Sequence, residues 1–294
     1  MEFACPACGA SENGRTYSVP DHEYGLIRRA TYSQCRRCET LSQFPMPSFE
    51  ELAACYPPAY HSFHNDTWVS RARNALRLRR LRSMVSADSG AILDYGCGDG
   101  SFLQEAAKSI PQQLFGYEIG AEHEEHRLAG GRVVIIRGTP DALLRSLPPC
   151  QLITMNHVIE HLPSPVDTLA QLAQRLTPGG RVEGQTPAAD SLERDIFGVR
   201  WSGFHAPRHT VIFSRAGLKR VLARAGLHDA QVAGGFNPAG IAVSLATLRQ
   251  RPDVPGRITR SGTGWLACLA AATGVYPVDL LSGRPGIVNF SARN

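Results

Sequence analysis

Four of the eight cysteines stand in two pairs, Cys5-Pro-Ala-Cys8 and Cys35-Arg-Arg-Cys38, with 26 residues between the pairs. A C-x-x-C turn aims two thiolates at one point, and two such turns complete the tetrahedral four-sulfur shell that Zn2+ prefers. A thioredoxin-like redox pair would need C-x-x-C in a βαβ context, opening a helix, and neither pair has that setting. The spacing predicts a structural zinc on Cys5, Cys8, Cys35 and Cys38, with no open position for water. Cys55, Cys97, Cys150 and Cys268 are scattered and read as small apolar fillers.

A second constellation is Ile92-Leu-Asp-Tyr-Gly-Cys-Gly-Asp-Gly-Ser-Phe102. A predicted strand ends at Asp94, and Gly96, Gly98 and Gly100 follow at every second position before a helix. Glycines there permit a tight turn and let backbone N–H groups approach a ligand at the carboxyl end of a sheet. The next predicted strand ends in Glu118, 24 residues after Asp94, where an acid suits bidentate acceptance from a ribose diol. A nicotinamide site would carry G-x-G-x-x-G facing a pyrophosphate. Here the spacing is G-x-G-x-G led by an acid, which repels pyrophosphate and suits a cofactor bearing an ammonium group. S-adenosylmethionine is such a molecule, with a ribose, a sulfonium and an amino-acid end.

The third string, His157-Val-Ile-Glu-His161, matches the inverted zinc-peptidase pattern H-x-x-E-H. A peptidase needs that string inside a sustained helix. Here the predicted strand Leu152 to Met155 runs directly into it, and Pro163 and Pro165 follow at once. The peptidase reading is set aside.

The elements that must position these residues follow from periodicity. Arg15 to Val19 and Gly25 to Tyr32 read as a ribbon hairpin between the cysteine pairs, giving a zinc-ribbon module over 1–45. A Pro-rich and aromatic connector leads into a helix over Ser70 to Val85, together spanning 46–90. That helix repeats Ala75, Leu78, Leu81 and Val85 on one face, and its arginines read as a solvated basic face. From Ala91 onward, strands at 91–95, 114–118, 132–136, 152–155 and 181–185 alternate with helices at 101–109, 141–146, 164–176 and 215–225. Pro178-Gly-Gly180 reads as a turn before the strand at 181, and Pro285 to Arg293 as a last strand. The pattern predicts an α/β fold: a Rossmann-like, seven-stranded, mostly parallel sheet with helices on both faces. This domain covers 91–294 and carries a helical insertion at about 238–282.

On these residues the stretch 91–235 resembles the class I S-adenosylmethionine-dependent methyltransferases, in the branch of the ubiquinone-biosynthesis O-methyltransferases. The matching segments are DYGCGDG (94–100), GYE (116–118), NHVIEHLPSP (156–165) and LTPGG (176–180). QTPAADS (185–191), FGVRW (197–201), PRH (207–209) and FS (213–214) also resemble bacterial methyltransferases of sugar, polysaccharide and secondary-metabolite pathways. Several of those resemble this chain in carrying an N-terminal four-cysteine zinc module. The resemblance implies that Asp94 and the loop Gly96, Cys97, Gly98 and Gly100 hold the methionine end, and Glu118 the ribose. It further implies Thr139-Pro-Asp141 near the adenine, with Asn156 and His157 lining the methyl-transfer pocket.

The connection holding Phe197, Trp201, Phe204, His205 and His209 then lies over the strand ends where an acceptor enters. His209 is the first candidate for the group that takes the acceptor's proton, with His157 and His161 behind it. Arg208 stands ready for an anionic acceptor or a local acid, and His61 and His64, beside Tyr56 and Tyr60, for folding over the pocket. Glu160 and His161 also carry the resemblance's suggestion of a divalent cation.

Composition bounds the rest. With 31 cations against 26 acids the net charge is +5, falling to about +3 once zinc sits on four thiolates. All but Lys108 and Lys219 of those cations are arginine, and no basic patch with interleaved aromatics singles out nucleic acid. The N-terminus lacks the basic and apolar regions of a secretory signal, and the apolar run near Trp265 to Val275 looks too short to span a bilayer. The expectation is a cytoplasmic methyltransferase acting on a small molecule or saccharide, most simply on oxygen. Its alternative is an RNA base methyltransferase with a zinc recognition module. Oligomeric state is not legible.

Overall fold

Short apolar runs make the strands of a computed structural model that describes residues 2–25, 29–56, 68–86, 90–120, 122–250, 258 and 260–294. His61, His64 and Tyr60 lie outside the described residues. Strands β1 (Asn13–Pro20) and β2 (Arg29–Cys35) form the expected antiparallel hairpin, and β3 (Leu41–Gln43) adds to β2. Helices α1 (Phe49–Ala53) and α2 (Trp68–Met84) follow. Next come β4 (Ala91–Tyr95), α3 (Ser101–Ala107), β5 (Leu114–Ile119), β6 (Glu124–Leu128), β7 (Val133–Gly138), α4 (Pro140–Ser146) and β8 (Cys150–Asn156). The remainder is α5 (Pro165–Ala173), β9 (Leu176–Pro187), α6 (Leu192–Phe197), β10 (Val211–Ile212), α7 (Arg215–Arg224), β11 (His228–Gly234), α8 (Pro238–Thr247), α9 (Gly262–Leu281) and β12 (Ile287–Arg293).

The main sheet has eight strands in the order β11-β12-β9-β8-β4-β5-β7-β6. The strands from β7 to β9 run parallel, β12 lies antiparallel between β9 and β11, and β6 folds back antiparallel on β7. The eighth strand, β6, is Glu-Glu-His-Arg-Leu, an almost fully exposed edge without the apolar alternation that announces a strand. The turn expected at Pro178–Gly180 is instead absorbed into β9 as a bulge. The pairing slips between Cys150↔Leu176 and Leu152↔Arg181, and Gly179 takes φ 73°.

Alternation divides the sheet's two faces. Leu93, Tyr95, Ile153, Met155, Val182 and Phe290 join α5 and α7 in one core, while Ile92, Leu114, Ile135 and Leu152 join α2 and α3 in another. The cysteine ribbon is stitched to this body. β10 pairs with β3, so the small sheet runs β1-β2-β3-β10. Fully buried Tyr32 donates its hydroxyl to the His209 carbonyl at 2.7 Å.

The basic helix departs from expectation. Part-buried Arg77 reaches Asp94 of the sheet, and Arg80, still half in solvent, reaches Glu183. Helix α9 also runs longer than its apolar core suggested. Its 20 residues meet the length and composition of a membrane span, yet Cys268, Ala272, Tyr276 and Asp279 pack one side of it onto the protein.

Candidate cofactor site and the histidine cluster beside it

Strand β4 delivers Asp94 to the carboxyl edge, and the chain then turns through Gly96, Gly98 and Gly100, all at positive φ. A side chain at Gly96 would meet Val158 at 2.4 Å, and one at Gly100 would meet Ile135 at 2.6 Å. Only glycine fits this turn. Neighbouring β5 brings Glu118 alongside, and its Oε2 accepts from the Gly98 N–H at 2.8 Å. Burial raises the Glu118 carboxyl, with Gly98, Ile119 and Arg137 pulling it back. Asp94, 2% exposed, accepts from Thr154 Oγ1 at 2.7 Å and pairs with Arg77 at 2.5 Å. The Arg77 guanidinium also lies over the Phe102 ring at 3.8 Å, and the Asn156 side-chain amide lies 3.2 Å from its Nη2. Asp94, Gly96, Gly98, Gly100, Glu118 and Asn156 therefore meet in one place.

Two residues of the predicted set sit differently. The Cys97 side chain tucks beneath the turn against Gly116, where burial raises its thiol, so only its backbone belongs to the loop. Asp141 lies exposed in the first turn of α4, just past the end of β7. Sequence reasoning missed Arg77, since α2 holds six arginines and periodicity does not distinguish them.

The four histidines beside this turn divide into one open ring, His157, and three enclosed ones, His161, His205 and His209. His157 directly follows β8 at φ 55°, with its side chain 42% exposed and Nε2 3.1 Å from Gln185 Oε1. Behind it Glu160 is fully buried and accepts from Thr186 Oγ1 at 2.9 Å through Oε2. Its Oε1 makes no aligned hydrogen bond, though His157 Nδ1 lies 3.3 Å away and His209 Nε2 3.8 Å. Burial alone would raise Glu160, but the closeness of His157 and of the His161 imidazole wins and lowers it.

His161 is lowered to about 4 by burial, and His209 falls well below the usual range from burial and the neighbouring His161 and His205. His209, 7% exposed, has Nδ1 2.8 Å from the Gly203 carbonyl. This enclosed setting departs from the expectation that His209 faces the acceptor. His205 holds Glu23 of the ribbon at 2.6 Å, and Arg208 pairs bidentately with buried Asp21. Arg208 thus answers a local acid rather than an acceptor. Donor atoms of Glu160, His161 and His209 lie within 4.8 Å of one another, a spacing one divalent cation can bridge.

The four ribbon cysteines likewise bring their sulfurs within 4.8 Å, with Cys5–Cys38 and Cys8–Cys35 each at 3.6 Å. Tetrahedral zinc with bonds of about 2.3 Å requires edges of about 3.8 Å, so the donor set fits. No disulfide joins any of the eight cysteines.

Parallel strands with acids and a glycine turn at their carboxyl ends define an α/β enzyme fold built to hold a nucleoside-type ligand. Residues 68–232, over half of the 294-residue chain, match the sequence profile described as Methyltransferase domain, and the chain belongs to that family. It is 31% identical over 115 residues to the ubiquinone biosynthesis O-methyltransferase of Pseudomonas putida (strain W619), covering 37% of this chain and 49% of that one. The corresponding enzyme of Burkholderia pseudomallei (strain K96243) is 25% identical over 173 residues, covering 55% and 74%. The chain spans about half the length of the Pseudomonas relatives it matches. Among solved structures, phosphoethanolamine N-methyltransferase 2 of Haemonchus contortus aligns with a TM-score of 0.51 at 15% identity. That alignment covers 86% of this chain and 62% of the other, a likeness of fold.

Proposed function

We propose that this chain is an S-adenosylmethionine-dependent methyltransferase of the reducing cytoplasm, methylating an oxygen of a small-molecule or saccharide acceptor in a biosynthetic pathway. The observation that carries this is the convergence of Asp94, the glycine turn and Glu118 at one carboxyl edge. Asp94 suits the ammonium of the methionine end, Arg77 its carboxylate, and Glu118 the ribose diol. The donor supplies an electrophilic methyl on sulfur. The acceptor oxygen attacks that carbon, C–O forming as C–S breaks, with the electron pair passing to sulfur. His157, exposed beside Asn156, is the group placed at the acceptor hydroxyl as its proton leaves. Cys5, Cys8, Cys35 and Cys38 would hold zinc in a structural role.

A metal-assisted variant draws on the misaligned buried Glu160 Oε1. Glu160, His161 and His209 would hold a divalent cation enclosed behind His157, whose charge would act on the methyl-transfer edge from there. Methyl-labelled donor incubated with fractionated bacterial extract, with and without chelator, tests the reading. Label should enter the low-molecular-weight or saccharide fraction, and His157→Ala should lower that transfer by about 100-fold or more. Label confined to RNA would overturn the acceptor class.

A further inference from the structure

The strands beyond the cofactor turn carry a second polar row. Pairing aligns Asn156 of β8, Gln185 of β9, Asn289 of β12 and Ala233 of β11 in one rank. One step back on the same face lie Glu183, Ser291 and Gln231. The alternating residues Val182, Val288, Phe290 and Ala292 belong to the opposite core, so this rank faces the α2 side. Gln185, Asn289 and Ser291 are half-buried, and Gln231 is exposed.

The row is pre-set rather than loose. His157 Nε2 lies 3.1 Å from Gln185 Oε1, Gln185 Nε2 donates to Asn289 Oδ1 at 3.0 Å, and Asn289 Nδ2 donates to the Gly234 carbonyl at 3.3 Å. Gly235 closes over the two amides. A side chain there would meet Gln185 Nε2 at 2.9 Å and Asn289 Nδ2 at 3.4 Å. The next residue, Phe236, is 66% exposed, its ring edge-on to Tyr276 at 4.6 Å.

Fixed planar amides offer donors and acceptors side by side, matching vicinal hydroxyls. An exposed phenyl beside them suits the C–H face of a pyranose. A flat phenolic acceptor would ask for apolar walls, and this rank presents amides instead. We propose that Gln185, Asn289 and Phe236 form the acceptor surface and that its occupant is a saccharide, a reading that rests on the methyltransferase assignment above. The rank begins at His157 and Asn156, so a hydroxyl bound along it stands at the methyl-donor end. There its oxygen takes the methyl carbon, the C–S electron pair stays on sulfur, and the hydroxyl proton leaves to solvent at the open His157 end of the rank.

Saturation-transfer NMR on protein loaded with S-adenosylhomocysteine tests this, using the methyl glycosides of glucose, galactose, mannose and rhamnose, with catechol and p-coumarate as phenolic controls. At least one glycoside should receive saturation at its ring protons. Asn289→Leu and Phe236→Ala should each weaken it about fivefold while S-adenosylhomocysteine binds both variants as it binds wild type. Silence from every glycoside, response from phenols alone, or a glycoside signal unmoved by both variants overturns the saccharide surface. Failure of S-adenosylhomocysteine to bind at all refutes the methyltransferase reading beneath it.

Discussion

A carboxylate buried at the end of a strand needs a cation, and Asp94 has one in Arg77. The pair is complementary to an amino acid, because ammonium and carboxylate can replace the two side chains' hold on each other. Arg77→Gln should therefore weaken S-adenosylhomocysteine by about tenfold while leaving adenosine, which lacks the amino-acid end, within about twofold. Equal losses for both ligands would show that Arg77 only supports the fold. Asp94, the three glycines and Glu118 were legible because their chemistry is local: a turn with no room for side chains, preceded and flanked by acids. The histidines were legible only as a string. Which ring meets solvent depends on the positive φ at His157 and on Tyr32 and the Gly203 carbonyl holding His209 inward, and neither is written in a spacing.

At the level of elements, apolar alternation announced the parallel strands and the insertion helices, whereas β6 and β11 are polar enough to read as loop. The placement of α9 rests on a carboxyl pair that no pattern suggests. Glu193 of α6 and Asp279 of α9 are both buried against each other, with Trp201 Nε1 donating to Glu193 at 3.2 Å and the Gly286 N–H to Asp279 at 3.2 Å. Burial first, and Asp279 second, push the Glu193 carboxyl up to about 7. Arg215 is the cation that acts on Asp279, and Tyr276 lies nearby. An unfolded glutamate ionises near 4.5, so between about 4.5 and 7 the native state keeps a proton that the unfolded chain releases. Stability should fall as pH rises through that window, by up to about 1.4 kcal/mol per pH unit. Urea unfolding at stepped pH should show this slope in wild type and a flatter one in Glu193→Gln. An unchanged slope in the variant would remove Glu193 from the account.

For the whole molecule, the ribbon and the methyltransferase body share a sheet through β3 and β10. Ser214 Oγ donates to the Cys38 carbonyl, and Arg224 Nη1 to the Ala7 carbonyl at 3.1 Å, so α7 caps both cysteine turns. Purified protein should carry one zinc per chain by elemental analysis, and Cys35→Ser should lose it. Because the two parts share hydrogen bonds, that loss should lower the melting temperature of the entire chain in one transition. Two separate transitions, or full zinc content in the variant, would contradict the arrangement. The family assignment and the cofactor turn stand on the main sheet alone, so their decisive test is independent of zinc. It is calorimetric titration of S-adenosylhomocysteine into wild type and Glu118→Ala. The account predicts saturable binding of one molecule per chain, weakened at least about tenfold when the charged acceptor at Glu118 is removed, and no heat from NADH. Folded wild-type protein that binds no S-adenosylhomocysteine, or a Glu118→Ala variant that binds it equally well, would contradict the central claim.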